Sequence, residues 1–296
     1  MKKFKKMYVE ITNICNLNCI FCPKTKRKPR LMSCEEFEII GRKLKGYGEY
    51  IYLHVLGEPL THPDIKEILH IAGDMGFKVI ITTNGILLKD RQSILISSDS
   101  VHRINISLHS FEANDIKISL DEYIKNIAEF SLKASDMGKI CLLRLWNNDG
   151  EFIKADNLLN EEILKRLEKE FSLSYTINST LCEGKNLTIK KFLYMEMAQK
   201  FEWPDISKNS ENENCFCYGL RDQLGVLCDG SVVPCCLDHE GDICLGNLFE
   251  SSLDEILKSE RAVKFYNGFS GKKAVEKLCT TCGFARRFRK RRDGLL

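Results

Sequence analysis

Apolar residues fall in two rhythms along the first 180 positions. Short β-branched or aromatic runs at Tyr8–Thr12, Tyr50–Leu56, Phe77–Thr83, His102–Leu108 and Ile140–Trp146 read as strands. Between them, apolar residues recur every three or four positions, which predicts helices at Glu35–Lys45, Asp64–Met75, Leu87–Ser97, Leu120–Met137 and Glu161–Phe171. In Asp64–Met75 the stripe is Ile65, Ile68, Leu69 and Ala72. Leu173–Ile177 reads as a sixth strand, and Asn84-Gly85 marks a turn after the third. Strands alternating with helices predict a parallel α/β sheet with right-handed crossovers. A doubly wound sheet and a partial barrel both fit, and in either one chemistry gathers at the C-terminal ends of the strands.

The rhythm breaks at Asn178–Asn214. A helix-like piece at Phe192–Lys200, then Trp203-Pro204 and the polar run Ser207–Asn214, read as a connector. Beyond it two short strands, Leu224–Cys228 and Ser231–Cys235, flank Asp229-Gly230, a hairpin signal. A helix at Leu253–Lys264 follows. The basic run Arg286–Arg292 reads as a solvated terminus, with a grip on an anionic substrate as the alternative. The expected division is a core at 1–190, a connector at 191–214 and a cysteine-rich domain at 215–296.

Composition narrows the class. Of 296 residues 29% are charged, and no apolar run approaches the roughly 18 residues a membrane span needs. No apolar stretch of signal-peptide length follows the basic N-terminus, so a cytoplasmic protein without membrane contact is expected. A net charge of +3 is too small to imply a nucleic-acid partner. The 14 cysteines change the picture, because they cluster at 15–22, 215–244 and 279–282. In a reducing compartment such thiols read as metal ligands or redox groups. Cys34, Cys141 and Cys182 stand alone and read as small buried apolar residues.

Cys15, Cys19 and Cys22 have the spacing C-x3-C-x2-C, in which three thiolates hold three irons of a four-iron cluster and leave the fourth open. A zinc site is the alternative, with His54 or His62 completing it. Together with the aromatic Phe21 and the strand–helix rhythm, the triplet resembles the radical S-adenosylmethionine superfamily. That resemblance implies a partial (β/α)6 TIM-like barrel and a [4Fe-4S] cluster held by Cys15, Cys19 and Cys22, with S-adenosylmethionine on the open iron. It also implies an external electron donor of flavodoxin or ferredoxin type. Gly57-Glu58-Pro59 resembles the tail of the family's Gly-Gly-Glu-Pro motif, with Leu56 where the first glycine usually stands, and implies that Glu58 meets the cofactor's amino group. Ser107 resembles the position that touches the ribose or carboxylate, and Thr83-Asn84-Gly85 the family's third-strand end. Lys117 and Arg144 are candidates for the carboxylate.

Cys217, Gly230, Cys235, Cys279 and Cys282 resemble a C-terminal twitch/SPASM-like domain, which implies one auxiliary [4Fe-4S] cluster on Cys217, Cys235, Cys279 and Cys282. Cys215 in place of Cys217, and a zinc ribbon, are the alternatives. The implied reaction is hydrogen abstraction from a carbon of a bound peptide or small molecule. Peptide modification of maturase or epimerase type is the expectation; two-electron dehydrogenation of a small alcohol and a non-catalytic Fe/Zn module are the rivals. Cys236 follows a proposed ligand, and successive strand residues face opposite ways. Its thiol is therefore expected to face the substrate as a hydrogen-atom donor.

Overall fold

The computed structural model describes residues 3–149, 157–180, 187–209 and 213–288. Cys182 and residues 289–292 of the basic run lie outside the described residues. In chain order the elements are β1 (Lys6–Val9), α1 (Cys34–Leu44), β2 (Tyr50–Tyr52), α2 (Ile65–Asp74), β3 (Lys78–Thr83), α3 (Leu88–Ser97), β4 (Val101–Ser107), α4 (Leu120–Asp136), β5 (Ile140–Asn148) and α5 (Asn160–Glu170). The helical turn α6 (Ile177–Thr180), β6 (Leu187–Lys190), β7 (Leu193–Gln199), β8 (Gln223–Val226), β9 (Ser231–Val233) and β10 (Gly246–Asn247) follow. The chain then forms α7 (Leu253–Lys258), α8 (Glu260–Ser270) and α9 (Lys277–Thr280).

The strands make one 10-stranded sheet in the order β10-β9-β8-β1-β2-β3-β4-β5-β7-β6. β1, β2, β3, β4, β5 and β7 run parallel, each to the next. The sheet curls without closing, a partial (β/α)6 barrel. One edge is extended by β6, antiparallel to β7; the other by β8, parallel to β1, and the antiparallel strands β9 and β10. Strand alternation divides the apolar residues. Met7 and Val9 of β1 and Ile51 of β2 pack in the main core, whereas Tyr8 and Tyr52 belong to a second cluster with Val55, Ile80, Leu227 and Val233.

The sixth parallel strand is not Leu173–Ile177. After α5 the chain reverses at Ser172, which has φ +51°, and Leu173 N–H returns to the Glu168 carbonyl at 2.9 Å. The strand is β7, which lies wholly inside Phe192–Lys200, the piece of the connector read as helix-like. Met, Glu, Ala and Gln favour helices, but Leu193, Met195 and Met197 alternate, and pairing with β5 overrides propensity. The helix expected at Leu253–Lys264 is two, broken at Ser259, whose hydroxyl caps α8 through Ala262 N–H at 3.3 Å.

Candidate active site

The first three thiols ride on the loop between β1 and α1. Asn13 ties the base of that loop, donating to the Lys28 carbonyl at 2.9 Å and accepting from Arg30 N–H at 2.8 Å. Below it, the buried Glu10 carboxylate takes a bidentate pair from Arg27 at 2.7 and 2.7 Å. The same carboxylate accepts from the backbone N–H of Leu56 at 3.1 Å and of Cys228 at 3.1 Å. Cys19 is buried, Cys22 half-buried and Cys15 exposed. Asn114 donates its side-chain amide to the Cys19 sulfur at 3.1 Å, and Leu17 N–H donates to the Cys15 sulfur at 3.4 Å. Such bonds stabilise charge on a ligating sulfur. Burial, and then the neighbouring Cys19 and Cys15 thiols, push the Cys22 pKa up to about 12.

The strand-end residues brace this loop. Gly57 has φ +75°, and a Cβ there would lie 2.2 Å from the Thr12 carbonyl oxygen, so only glycine lets the two loops meet. Glu58 is buried, and each of its oxygens accepts one backbone N–H: from Leu60 at 3.1 Å and from Asn84 at 2.8 Å. Burial raises its pKa to about 7. Pro59 opens the short 3-10 turn that Glu58 caps. Thr83 accepts from Gly85 N–H at 3.1 Å, and the Asn84 amide donates to the Asn16 side chain at 2.8 Å. Phe21 packs 4.9 Å from the His109 ring. Phe21, Gly57 and Ser107 line the large cavity of the barrel; Glu58, Pro59, Thr83 and Asn84 stand behind its wall.

Cys217, Cys235, Cys279 and Cys282 line the same cavity, which has a volume of about 770 Å³. Burial pushes the Cys235 pKa far up, and the thiols of Cys217, Cys236, Cys279 and Cys282 push it further. Among the described residues no three Cys, His, Asp or Glu side chains already converge on one metal-sized point. The donor chemistry nevertheless fits iron. Gathered thiols repel as they ionise, and bound iron relieves that repulsion by taking the place of the protons. Cys217 heads the charged groups acting on both Cys279 and Cys282, with Cys215 weaker on each. Cys215 is absent from the cavity wall. Cys235 and Cys236 lie in the turn beyond β9, which ends at Val233, so strand alternation does not order their side chains, and both line the cavity. The polar groups beside the Cys236 thiol are the Tyr8 hydroxyl and the Lys6 ammonium.

Register places the two thiol groups at opposite ends of the cavity. Cys15 lies beyond the C-terminal end of β1. On the other side, Val233 pairs with Gly225 and Gly225 with Tyr8, so the chain past Val233 descends toward Lys6, at the N-terminal end of β1. Between the two ends the wall carries Tyr8, Tyr52, His54, Arg103, Asn105, Arg144 and Trp146. Arg144 is thus on the wall and Lys117 is not. Burial lowers Arg144 to about 10 and His54 to about 3. Asn114, Arg103 and the Glu10–Arg27 pair escaped the sequence reading. The visible signal for Arg103 and Asn105 was polar residues at alternate positions of β4, in step with Ser107.

The family comparisons agree with this layout. Residues 9–145 match the model of the radical SAM superfamily, and residues 215–283 that of an iron-sulfur cluster-binding domain, SPASM. The GTP 3',8-cyclase of Aquifex aeolicus is 30% identical over 147 residues, covering 46% of this chain and 46% of that protein. The chain spans less than half the length of the curated relatives it matches. SuiB of Streptococcus suis, solved with S-adenosylmethionine, superposes with TM-score 0.63 at 18% identity over 96% of this chain and 72% of SuiB. SuiB is also known bound to its precursor peptide SuiA. BtrN in complex with AdoMet and 2-DOIA superposes with TM-score 0.53 at 15% identity, covering 95% and 94%. Identities this low speak for the fold alone. No helix among the described residues is long and apolar enough to cross a membrane.

Proposed function

The chain belongs to the radical S-adenosylmethionine superfamily and carries an iron-sulfur cluster-binding domain, and from that premise we propose that it abstracts hydrogen from a carbon of a substrate held between two clusters. The single observation that carries this reading is one cavity with a group of thiols at each end. When bound, the reduced cluster and S-adenosylmethionine together supply a 5′-deoxyadenosyl radical able to take hydrogen from carbon.

The chain's own residues then have distinct tasks. Cys15, Cys19 and Cys22 hold the first cluster, and the Asn114 amide on Cys19 stabilises its charge. Phe21, Gly57 and Ser107 shape the wall where the cofactor binds, while Glu58, Pro59, Thr83 and Asn84 fix the loops behind it. Each Glu58 oxygen holds one backbone N–H, so the carboxylate braces the loops and keeps lone pairs for the cofactor's amino group. Cys217, Cys235, Cys279 and Cys282 hold the auxiliary cluster, in a unit that starts near residue 215; the core draws in β7 from the connector.

Cys236 supplies the second hydrogen. Its S–H gives a hydrogen atom to the substrate's carbon radical, from the end of the cavity opposite the abstraction. The thiyl radical left on sulfur returns to S–H by taking one electron and one proton, the electron coming from a flavodoxin- or ferredoxin-type donor. Substrate carbon is left at its original oxidation level, an epimerase-type outcome. Lys6 and Tyr8 beside the thiol favour this reading over a structural one.

The test is anaerobic reconstitution followed by dithionite and S-adenosylmethionine. Iron should reach about eight per chain, and about four after Cys15, Cys19 and Cys22 are all replaced by Ala. Wild type should release 5′-deoxyadenosine, and Cys19→Ala should release none. With substrate in deuterated water, Cys236→Ala should keep both clusters yet form no deuterium-labelled product. A reduced wild-type cluster that yields no 5′-deoxyadenosine overturns the function; lost iron or unchanged turnover in Cys236→Ala overturns the donor role.

A further inference from the structure

Five polar atoms on the cavity's mid-section are buried without a hydrogen-bond partner: Nε of Arg103, Nε of Arg144, Nδ1 of His54, Oδ1 of Asn105 and Nε1 of Trp146. All five residues line the same cavity. An unmade buried hydrogen bond costs about 1–3 kcal/mol, and more for a charged group. Folds keep few such atoms, and each one asks for a reason. Here they gather on the inward faces of β4, β5 and the end of β2, where structural need does not call for polar groups.

Two of the five belong to guanidinium groups, and Arg144 shares an ion pair with Glu196. Arg103 donates one terminal nitrogen to the Tyr52 hydroxyl at 3.3 Å. Arg144 lies 4.4 Å over the Trp146 ring, and its Nε stands 3.8 Å from Glu196, beyond hydrogen-bond length. Lys6 adds a third cation at the lower end of the wall. The carboxylates that line the cavity, Asp222 and Asp238, are occupied. Asp222 pairs with Lys5 at 2.8 Å. Asp238 accepts from the backbone of Asp242 and Ile243 at 2.9 and 2.9 Å. Arg103 and Lys6 thus face Arg144 with Glu196 as the carboxylate close to them. Each cation makes its neighbours costlier, as the influence of Arg103 on Arg144 shows. An incoming oxyanion removes that cost and fills the forked donors at once.

We propose that the mid-cavity is a subsite for an oxyanionic group of the substrate, a phosphate or a carboxylate, gripped by Arg103 and Arg144 beside the Tyr52 hydroxyl. The inference rests on the proposed function only in taking the occupant to be the substrate. The rest of that molecule has defined surroundings. Asn105, His54 and Trp146 line the wall beside it with their unpartnered atoms covered. A side-chain rotation that uncovers them lets the Asn105 carbonyl and the neutral His54 ring accept from hydroxyl or amino groups and the Trp146 N–H donate. The substrate class is a small anionic molecule carrying hydroxyl or amino groups. Its anchored end lies toward Lys6 and its remainder reaches toward the first thiol loop.

The test is equilibrium dialysis of reconstituted holoenzyme, saturated with S-adenosylmethionine so that the cofactor's own carboxylate cannot account for the binding. The probes are radiolabelled pyrophosphate and, separately, malonate, at low ionic strength. One saturable site per chain is expected for at least one probe. Preference for pyrophosphate identifies a phosphate group, and preference for malonate a carboxylate. Arg103→Gln should weaken binding by about tenfold or more, with Arg103→Lys between it and wild type, since a point charge replaces part of the fork. Iron content reports whether each variant is folded; if Arg103→Gln loses iron, Arg103→Lys decides. Wild type without a saturable site, or an iron-replete Arg103 variant binding as tightly as wild type, overturns the subsite. Wild type that releases 5′-deoxyadenosine but binds neither probe sinks the subsite alone. Arg103-dependent binding without 5′-deoxyadenosine release keeps the anion site and sinks the assignment of function.

Discussion

His109 shows what a single buried group contributes. Its ring packs on Phe21, and its Nδ1 lies 3.3 Å from both the Arg144 carbonyl and Trp146 N–H. Burial lowers its pKa from 6.5 to about 4. Below about 6.5 the unfolded chain binds a proton that the folded chain refuses until about 4. The stability this group contributes is therefore present above 6.5 and is lost as pH falls through that window. His109→Gln removes the proton site, so the stability gap between wild type and variant should shrink on acidification by up to about 1.4 kcal/mol per pH unit. Parallel thermal melts at pH 7 and pH 5 check this, and a gap independent of pH refutes it. At this scale the cysteine pattern was the most legible part of the site, because ligand spacing is local in sequence. Arg103, Asn105 and Asn114 were not, because their meaning comes from which strand faces and loops converge on the barrel interior.

Among the elements, those whose signals are local were readable within a few residues. Ser33 and Glu36 form a reciprocal capping box at the start of α1, and Asp229-Gly230 turns the chain between β8 and β9. Of the misread elements β7 matters most to the site: its helix-favouring composition is overruled by pairing with β5, a contact between strands distant in sequence. The hairpin makes the sharpest test of an element's role. Gly230 has φ +83°, and a Cβ there would stand 2.5 Å from Phe249 Cδ2 and 2.6 Å from Asn247 Oδ1. Asn247 cannot move freely: it accepts from Phe249 N–H at 2.8 Å and donates to the Asp229 carbonyl at 2.8 Å. Gly230→Ala should therefore cost about 1–3 kcal/mol through strain and overpacking. It should also shift the strand that delivers Cys235 and Cys236. Iron after reconstitution should fall toward about four per chain with 5′-deoxyadenosine release retained, the first cluster being the one left. Full iron in Gly230→Ala would show that the hairpin does not position the auxiliary ligands.

For the whole molecule, the parts meet at Glu10. One buried carboxylate holds the first thiol loop through Arg27, the loop after β2 through Leu56 N–H and the C-terminal hairpin through Cys228 N–H. The glutamate side chain is 0% exposed and that of Arg27 16%, so water cannot replace either partner well. A buried pair of this kind adds modest net stability over an apolar pair of the same shape, but breaking it strands a charge and costs about 3–5 kcal/mol. Glu10→Ala strands the Arg27 guanidinium and two backbone donors together. For a chain of this size ~1 kcal/mol lowers the melting midpoint by roughly 2–4 °C, so a fall of roughly 10 °C is expected. Because the three tethered segments serve both ends of the cavity, reconstituted iron should drop at both clusters rather than at one. The contrast is Arg42→Ala, which breaks an exposed pair with Glu38 one helical turn away. That change should cost about 0.5 kcal/mol or less and leave iron unchanged. Anaerobic calorimetry and iron analysis of the two variants separate the cases. A Glu10→Ala protein that melts within about 2 °C of wild type, or that loses iron from the first cluster alone, would mean that the barrel and the cysteine-rich domain hold together without this carboxylate.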